Sequence, residues 1–103
     1  MKIAVIGSRS LEIKNLGSYL PDNTTEIISG GAKGIDQCAR AYALSNGIKL
    51  TEFLPEYDKY GRYAPLKRNI KIIENADIVF AFWDGTSHGT KFVIDTCKNR
   101  ENL

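Results

Sequence analysis

Residues 25–46 read TEIISGGAKGIDQCARAYALSN. The apolar run over 25–29 stops at two adjacent glycines and a patterned helix begins within a few residues, so the stretch reads as strand, tight turn and helix. Ile35, Cys38, Ala39, Tyr42 and Ala43 recur at spacings of three and four, which gives the helix one apolar face. Asn46-Gly47 ends it as a left-handed cap. Gly30, Gly31 and Gly34 allow backbone N–H groups to approach a ligand closely, and a helix starting near Lys33 or Gly34 aims its unpaired amides at that ligand. The competing reading is a turn that needs glycine only for positive φ or close packing. Asp36 falls in the first helical turn, where a carboxylate favours the positive helix end. Its alternative use is a hydrogen bond to the loop or to a ligand hydroxyl.

The same unit recurs on either side. Residues 2–6, KIAVI, form an apolar run ending at Gly7, and GSRS follows it. A helical pattern is expected from Ser10 to about Leu20, with Leu11, Ile13, Leu16 and Leu20 inward and Ser10 as cap. GSRS is not the GxGxxG dinucleotide fingerprint. Arg9 is either a bidentate donor to a phosphate or carboxylate, or a surface residue paired with a neighbouring acid. Pro21-Asp22-Asn23 is turn chemistry. Residues 48–54 form a third strand closed by Pro55, and PEYDKYGRYAP then has no periodicity. Its Tyr57, Tyr60 and Tyr63 either stack on a base or cover a sheet edge. A helix from Ala64 or Pro65 to Asn75 places Leu66, Ile70 and Ile73 on one face, with Pro65 suited to the first turn. Residues 76–82, ADIVFAF, are the most apolar strand and are expected at the centre of the sheet. WDGTSHGT, residues 83–90, is another small-residue turn, followed by a helix with Phe92, Val93 and Cys97 inward. The polar end NRENL, residues 99–103, is expected to fray.

Strands alternating with helices at this spacing predict a three-layer, Rossmann-like α/β fold with a parallel sheet of about four to five strands flanked by helices, formed by residues 1–103 as one domain. Such sheets bind ligands beyond the carboxyl ends of their strands. GSRS, SGGAKGID and WDGTSHGT each follow a strand and so share that edge, with Arg9 and Lys33 among them. The expected ligand is an anion such as a nucleotide.

Bulk properties agree with a globular domain. The chain has 103 residues, 43% hydrophobic and 25% charged, and a net charge of +2 from 14 basic and 12 acidic residues. That balance gives little support to non-specific nucleic-acid binding. Residues 1–7 are too short for a signal-peptide core and no stretch reaches the length of a membrane span, so a cytoplasmic protein with no membrane partner is expected. Cys38 and Cys97 lie on or beside apolar helix faces and are read as reduced core residues, since no other ligand spacing implies a metal.

Together GSRS, SGGAKGIDQCARAYAL, the Lys67-Arg68-Asn69 that leads an apolar helix into ADIVF, and a last turn ending in Gly89-Thr90 resemble the SLOG superfamily. This group of Rossmann-like domains includes the DNA-processing protein A core, the LOG phosphoribohydrolases and small stand-alone proteins, the last being the form this chain resembles. The likeness covers essentially the whole chain, and GGAKGID before an alanine-rich helix is similar to the DNA-processing protein segment.

The resemblance implies a nucleotide or nucleotide-derived ligand at the strand edge. LOG enzymes carry PGGxGTxxE, whose glutamate acts with an arginine from the preceding helix on an N-glycosidic bond. In the matching residues 85–93, GTSHGTKFV, Gly89 and Thr90 agree, Thr86 and Ser87 replace glycines, and Val93 stands at the glutamate. Arg68 resembles the arginine. Asp95 lies about 200° further around a helix and is a poor substitute, whereas Asp84 lies nearer the turn.

The leading expectation is a binding or sensing module with no cofactor and no bound metal. Gly7, Ser8, Gly30, Gly31, Gly34, Gly89 and Thr90 line it, and the amides of Gly30, Gly31, Gly89 and Thr90 hold phosphate. Arg9, Lys33 and Arg68 neutralise it, with Asn69 beside them; Asp84, Thr86 and Ser87 meet ribose or phosphate oxygens, and Asp36 is placed to meet a ligand hydroxyl. A homo-oligomer would close such a one-sided pocket. The alternatives are a nucleotide N-glycosidase using Arg68 with Asp84 or an acid from a partner subunit, and single-stranded DNA binding by analogy to the DNA-processing protein. His88 is either a base or a surface histidine.

Overall fold

The computed structural model describes the backbone of residues 1–101 and the side chains of residues 1–99. Four strands, β1 (Lys2–Gly7), β2 (Glu26–Ser29), β3 (Lys49–Glu52) and β4 (Ile78–Phe82), form one sheet in the order β3-β2-β1-β4. Every neighbouring pair is parallel, with Ile3 opposite Ile27 on one side and Val5 opposite Phe80 on the other. Helices α1 (Ile35–Ser45), α2 (Tyr57–Tyr60), α3 (Ala64–Asn75) and α4 (His88–Glu101) complete the Rossmann-like α/β architecture.

Two cores lie on opposite faces of the sheet, as a strand's period of two requires. Ile3, Val5 and Ile27 pack with Ile35, Ala39 and Ala43 of α1. Ala4, Ile6 and Ile28 pack with Ile72 and Ile73 of α3 and Val93 of α4. Full burial of each large aliphatic side chain contributes about 1.5–3 kcal/mol, and the alternation through β1 explains why its run reads as continuously apolar.

Four expectations are corrected. The first helix does not form: residues 8–25 run over the sheet with only a short 3₁₀ turn at Leu16–Ser18. Leu11 and Ile13 both pack towards the α1-side core, a spacing of two that an extended chain satisfies and a helix does not. The Ile13 amide bonds Cys38 Sγ at 3.4 Å, and Gly17 lies so close to the Tyr42 ring that an added Cβ would sit 2.7 Å from it. Ser10 accordingly caps no helix.

Strand β4 lies at the edge, not the centre. β1 and β2 are the strands paired on both sides, and Ile78 and Trp83 remain 38% and 41% exposed. The segment after Pro55 is not irregular, since it contains α2 and a 3₁₀ turn over Gly61–Tyr63. Finally, α3 turns Ala64, Asn69, Ile72 and Ile73 inward and leaves Leu66 exposed. At the chain's end, α4 continues to Glu101, and residues 102–103 of the stretch expected to fray lie outside the described residues. Neither cysteine forms a disulfide among the described residues, and both are half-buried. No helix among the described residues is long and apolar enough to cross a membrane.

Candidate functional site

The turns after β1, β2 and β4 meet at the carboxyl edge of the sheet. Ser8 is buried and structural: its amide bonds the Phe82 carbonyl at 3.0 Å and its Oγ accepts the Asp84 N–H at 3.1 Å. Asp84 Oδ2 accepts the Ser10 hydroxyl at 2.7 Å. Asp84 Oδ1 accepts the amides of Thr86 and Ser87, each at 2.9 Å, and the Thr86 hydroxyl at 3.1 Å. The Ser10 hydroxyl first, then these amides, hold the Asp84 carboxyl far below the usual carboxylate range, so it is ionised at neutral pH.

The turn after β2 is set by two glycines without space for a side chain. Gly34 caps α1 with φ +75°, and a Cβ there would lie 2.6 Å from the carbonyl oxygens of Ser8 and Arg9. The first turn thus rests directly on the second. A Cβ on Gly30 would lie 2.5 Å from Arg68 Nη1 and 3.1 Å from Asp36 Oδ2. That space is used: Arg68 donates to the Gly30 carbonyl at 2.9 Å and to Asn69 Oδ1 at 2.8 Å.

Asp36 is 5% exposed, and its Oδ2 accepts the Ala32 amide at 3.1 Å. Burial raises the Asp36 carboxyl, against the Ala32 bond and the Arg68 charge. Burial likewise lowers Arg68, against Asp36, and Arg9 adds like-charge repulsion. Ser29 lies close enough to Asp36 to act on its carboxyl, yet Ser29 Oγ and Asp36 Oδ1 are both buried without a hydrogen-bond partner of good geometry. Most buried polar side-chain atoms in folded proteins have a partner, and a domain of this size ordinarily holds a few that do not.

Two hollows open from this platform. The larger, about 420 Å³, brings together Gly7, Arg9, Gly30, Asp36, Arg68, Asn69, Asp84, Ser87, Gly89 and Thr90. The smaller, about 330 Å³, takes in Gly31 and Lys33 and shares Arg9, Ala32 and Asp36 with the first. Ser8 and Gly34 shape the turns from beneath, and Thr86 is exposed outside both hollows. Arg9 and Lys33 form no ion pair and no side-chain hydrogen bond within the described residues. Arg40 is instead held by Glu52 in a two-point contact at 2.5 and 3.2 Å. Tyr57 is 57% exposed and close enough to Arg68 to interact with its charge, so it stands at the rim. His88 is exposed at the start of α4 and lines neither hollow.

Sequence reasoning missed Ser10, Pro65 and Ile72 in the larger hollow and Arg40 and Glu52 in the smaller. Pro65, Arg68, Asn69 and Ile72 stand at i, i+3, i+4 and i+7, so the helix period drawn from Arg68 would have found two of them. No local pattern signals the Ser10 contact, which joins residues 74 apart.

Three strand-terminal turns around an open cleft at the carboxyl edge of a parallel sheet define a Rossmann-like α/β domain. A family model described as DNA recombination-mediator protein A matches residues 1–91. The chain belongs to this family, the DNA-processing protein A branch of the SLOG-type domains. No curated protein and no solved structure matches it.

Proposed function

We propose that the protein binds a nucleotide or nucleotide-derived anion in the cleft at the carboxyl edge of the sheet, as a binding or sensing module. The observation that carries this reading is the convergence of all three turns on two joined hollows, with Arg9 and Lys33 there and unpaired. A concave site of several hundred cubic ångströms with a few fixed polar groups is the usual form of a small-molecule site. Arg68 is a shaping residue in this reading, because two of its donors are engaged by Gly30 and Asn69. A second copy of the chain covering the open side would complete the enclosure.

Hydrolysis is the weaker reading. Val93, at the position of the LOG glutamate, is fully buried among Ile6, Ile28 and Ile72, so no acid reaches the cleft from there. Asp84 has both oxygens committed and is held ionised, which suits it poorly to donate a proton to a leaving base. Single-stranded nucleic acid is a second ligand class favoured by one specific feature besides the family's name. Beside the cleft, Lys59 and Lys67 stand over Tyr60, and Arg62 over Tyr63, at 5.1–5.8 Å, an aromatic and basic row of the kind on which bases stack.

Titration calorimetry with nucleoside mono- and diphosphates, repeated with Arg68→Ala and with an oligonucleotide across a salt series, separates these readings. Saturable nucleotide binding weakened by Arg68→Ala supports the module, whereas no heat with any nucleotide contradicts it. Oligonucleotide affinity falling steeply with salt favours the nucleic-acid reading.

A further inference from the structure

The sheet ends in two unlike edges. At one, β3 reads KLTE, is charged at both ends and has its side chains tied sideways: Lys49 and Thr51 reach Glu26, and Glu52 holds Arg40. Charge on an outer strand is a usual guard against further pairing. At the other edge, β4 reads IVFAF, with no charge, proline or glycine over Ile78–Phe82. Its side chains are half-buried or exposed, whereas Ala4 and Val5, their partners in β1, are fully buried. Ile78 belongs to neither core. Trp83 is exposed just past the strand, and the exposed Tyr19 stands against Phe82.

Backbone direction sets what can be added there. The Phe82 carbonyl accepts the Ser8 amide at 3.0 Å, so Phe82 turns its backbone groups towards β1. Alternate residues of a strand in a parallel ladder face opposite neighbours, which gives Phe80 and Ile78 the same direction and turns the N–H and C=O of Val79 and Ala81 outward. No described strand lies beyond β4 to meet them. An antiparallel copy of the same strand meets them in one register. With a two-fold axis at Phe80, Val79 falls opposite Ala81 of the second copy and Ala81 opposite its Val79, closing four hydrogen bonds. Phe80 then faces its own counterpart, and Ile78 falls opposite Phe82 beside the Tyr19 ring; aromatic pairs and aromatic with β-branched pairs are favoured across strands. Asp77 falls opposite Trp83 and Asp84 opposite Ala76, so no two acids oppose one another. A head-to-tail join to β3 of another copy would instead set Lys49 and Glu52 beside an apolar strand and leave an open edge at each end.

We propose that β4 is a dimer seam, at which two copies of the chain pair these strands antiparallel about Phe80 and make one continuous sheet of eight strands, four from each. Antiparallel pairing points the two carboxyl edges to opposite ends of that sheet. Both clefts therefore stay open, and the seam is separate from any contact that encloses a ligand. It needs no ligand, so its failure would leave nucleotide binding standing.

Sedimentation velocity on the full chain over a range of concentrations, with amide hydrogen exchange read at Val79 and Ala81, tests the seam. A species of twice 11.5 kDa is expected, with both amides protected at high concentration and exposed on dilution. Ala81→Pro removes an outward N–H and no bond to β1, a place where an edge strand tolerates proline. By symmetry it deletes two of the four seam bonds. Ile78→Lys sets a charge opposite Phe82 from a position already exposed. Each is expected to weaken dimerisation by about tenfold or more. Leu44→Lys, at an apolar side chain 70% exposed on α1, is expected to leave it unchanged. A protein that sediments as one chain at every concentration, a mass that grows beyond two copies, or a dimer that neither seam variant weakens overturns the proposal. Should both variants unfold by circular dichroism, exchange in the unaltered protein decides: a dimer whose Val79 and Ala81 amides stay open to solvent contradicts the seam.

Discussion

Gly34 is the residue on which the site's geometry rests. Its φ is +75° and a Cβ would lie 2.6 Å from two backbone oxygens. Gly47 also has a positive φ, +63°, but open space around it. Gly47→Ala is therefore expected to cost about 1 kcal/mol and Gly34→Ala about 3 kcal/mol or more, because only the second adds a collision with backbone to the left-handed penalty. Urea unfolding of the two variants checks the difference, and equal losses would mean the first two turns do not pack as described.

Asp84 gives a pH prediction at the same scale. Its folded carboxyl binds a proton more weakly than the unfolded one, so its stabilisation is complete above the ordinary carboxylate range and is lost as pH falls through that range towards the depressed value. Asp84→Asn should lower Tm at pH 7, with the gap to the unaltered protein narrowing below about pH 4. A gap independent of pH would assign the loss to packing. The sequence identifies Asp84 as a turn residue, but its partner Ser10 comes from the opposite end of the chain. Contacts of that range leave no periodic trace.

At the level of elements, a helical spacing repeated over several turns locates α1 and α3, and short continuous apolar runs locate the strands. It fails between β1 and β2. Leu11, Ile13, Leu16 and Leu20 fit a loose helical pattern, yet Leu11 and Ile13 are used two apart by an extended chain lying on α1. For α3 the helix is legible and its inward face is not: Leu66 and Ile73 fit one stripe, whereas Asn69 and Ile72 are the residues that face the site and sheet. A buried asparagine is invisible to a reading based on apolar spacing. Ile72→Ala is expected to cost about 2–5 kcal/mol. Leu66→Ala, at a side chain 37% exposed, is expected to cost under about 1 kcal/mol. Equal losses in thermal or urea unfolding would reverse the assigned face.

For the whole molecule, the alternation of strands and helices is enough to place GSRS, SGGAKGID and WDGTSHGT at one sheet edge, since parallel strands all end on the same side. Strand order is another matter. The apolarity of ADIVFAF suggests a central place, but β4 pairs only with β1, and its Phe80 and Phe82 are half-buried under residues 8–25. Tyr19, 51% exposed, meets Phe82 edge to face with ring centroids 5.5 Å apart. Apolar composition therefore reports here what covers the strand's faces and not which strands flank it. Which cations stay unpaired is equally beyond the sequence: Arg40 reaches Glu52, while Arg9 and Lys33 form no ion pair among the described residues.

Nucleotide binding at the sheet's carboxyl edge is tested most directly by an amide chemical-shift map of the protein titrated with each ribonucleoside 5′-monophosphate. Saturable shifts are expected to concentrate at Arg9, residues 30–36 and Asn69, with the row over Tyr57–Tyr63 little changed beyond Tyr57. No saturable shift with any monophosphate, or shifts confined to the exposed face around Tyr60 and Tyr63, would contradict it.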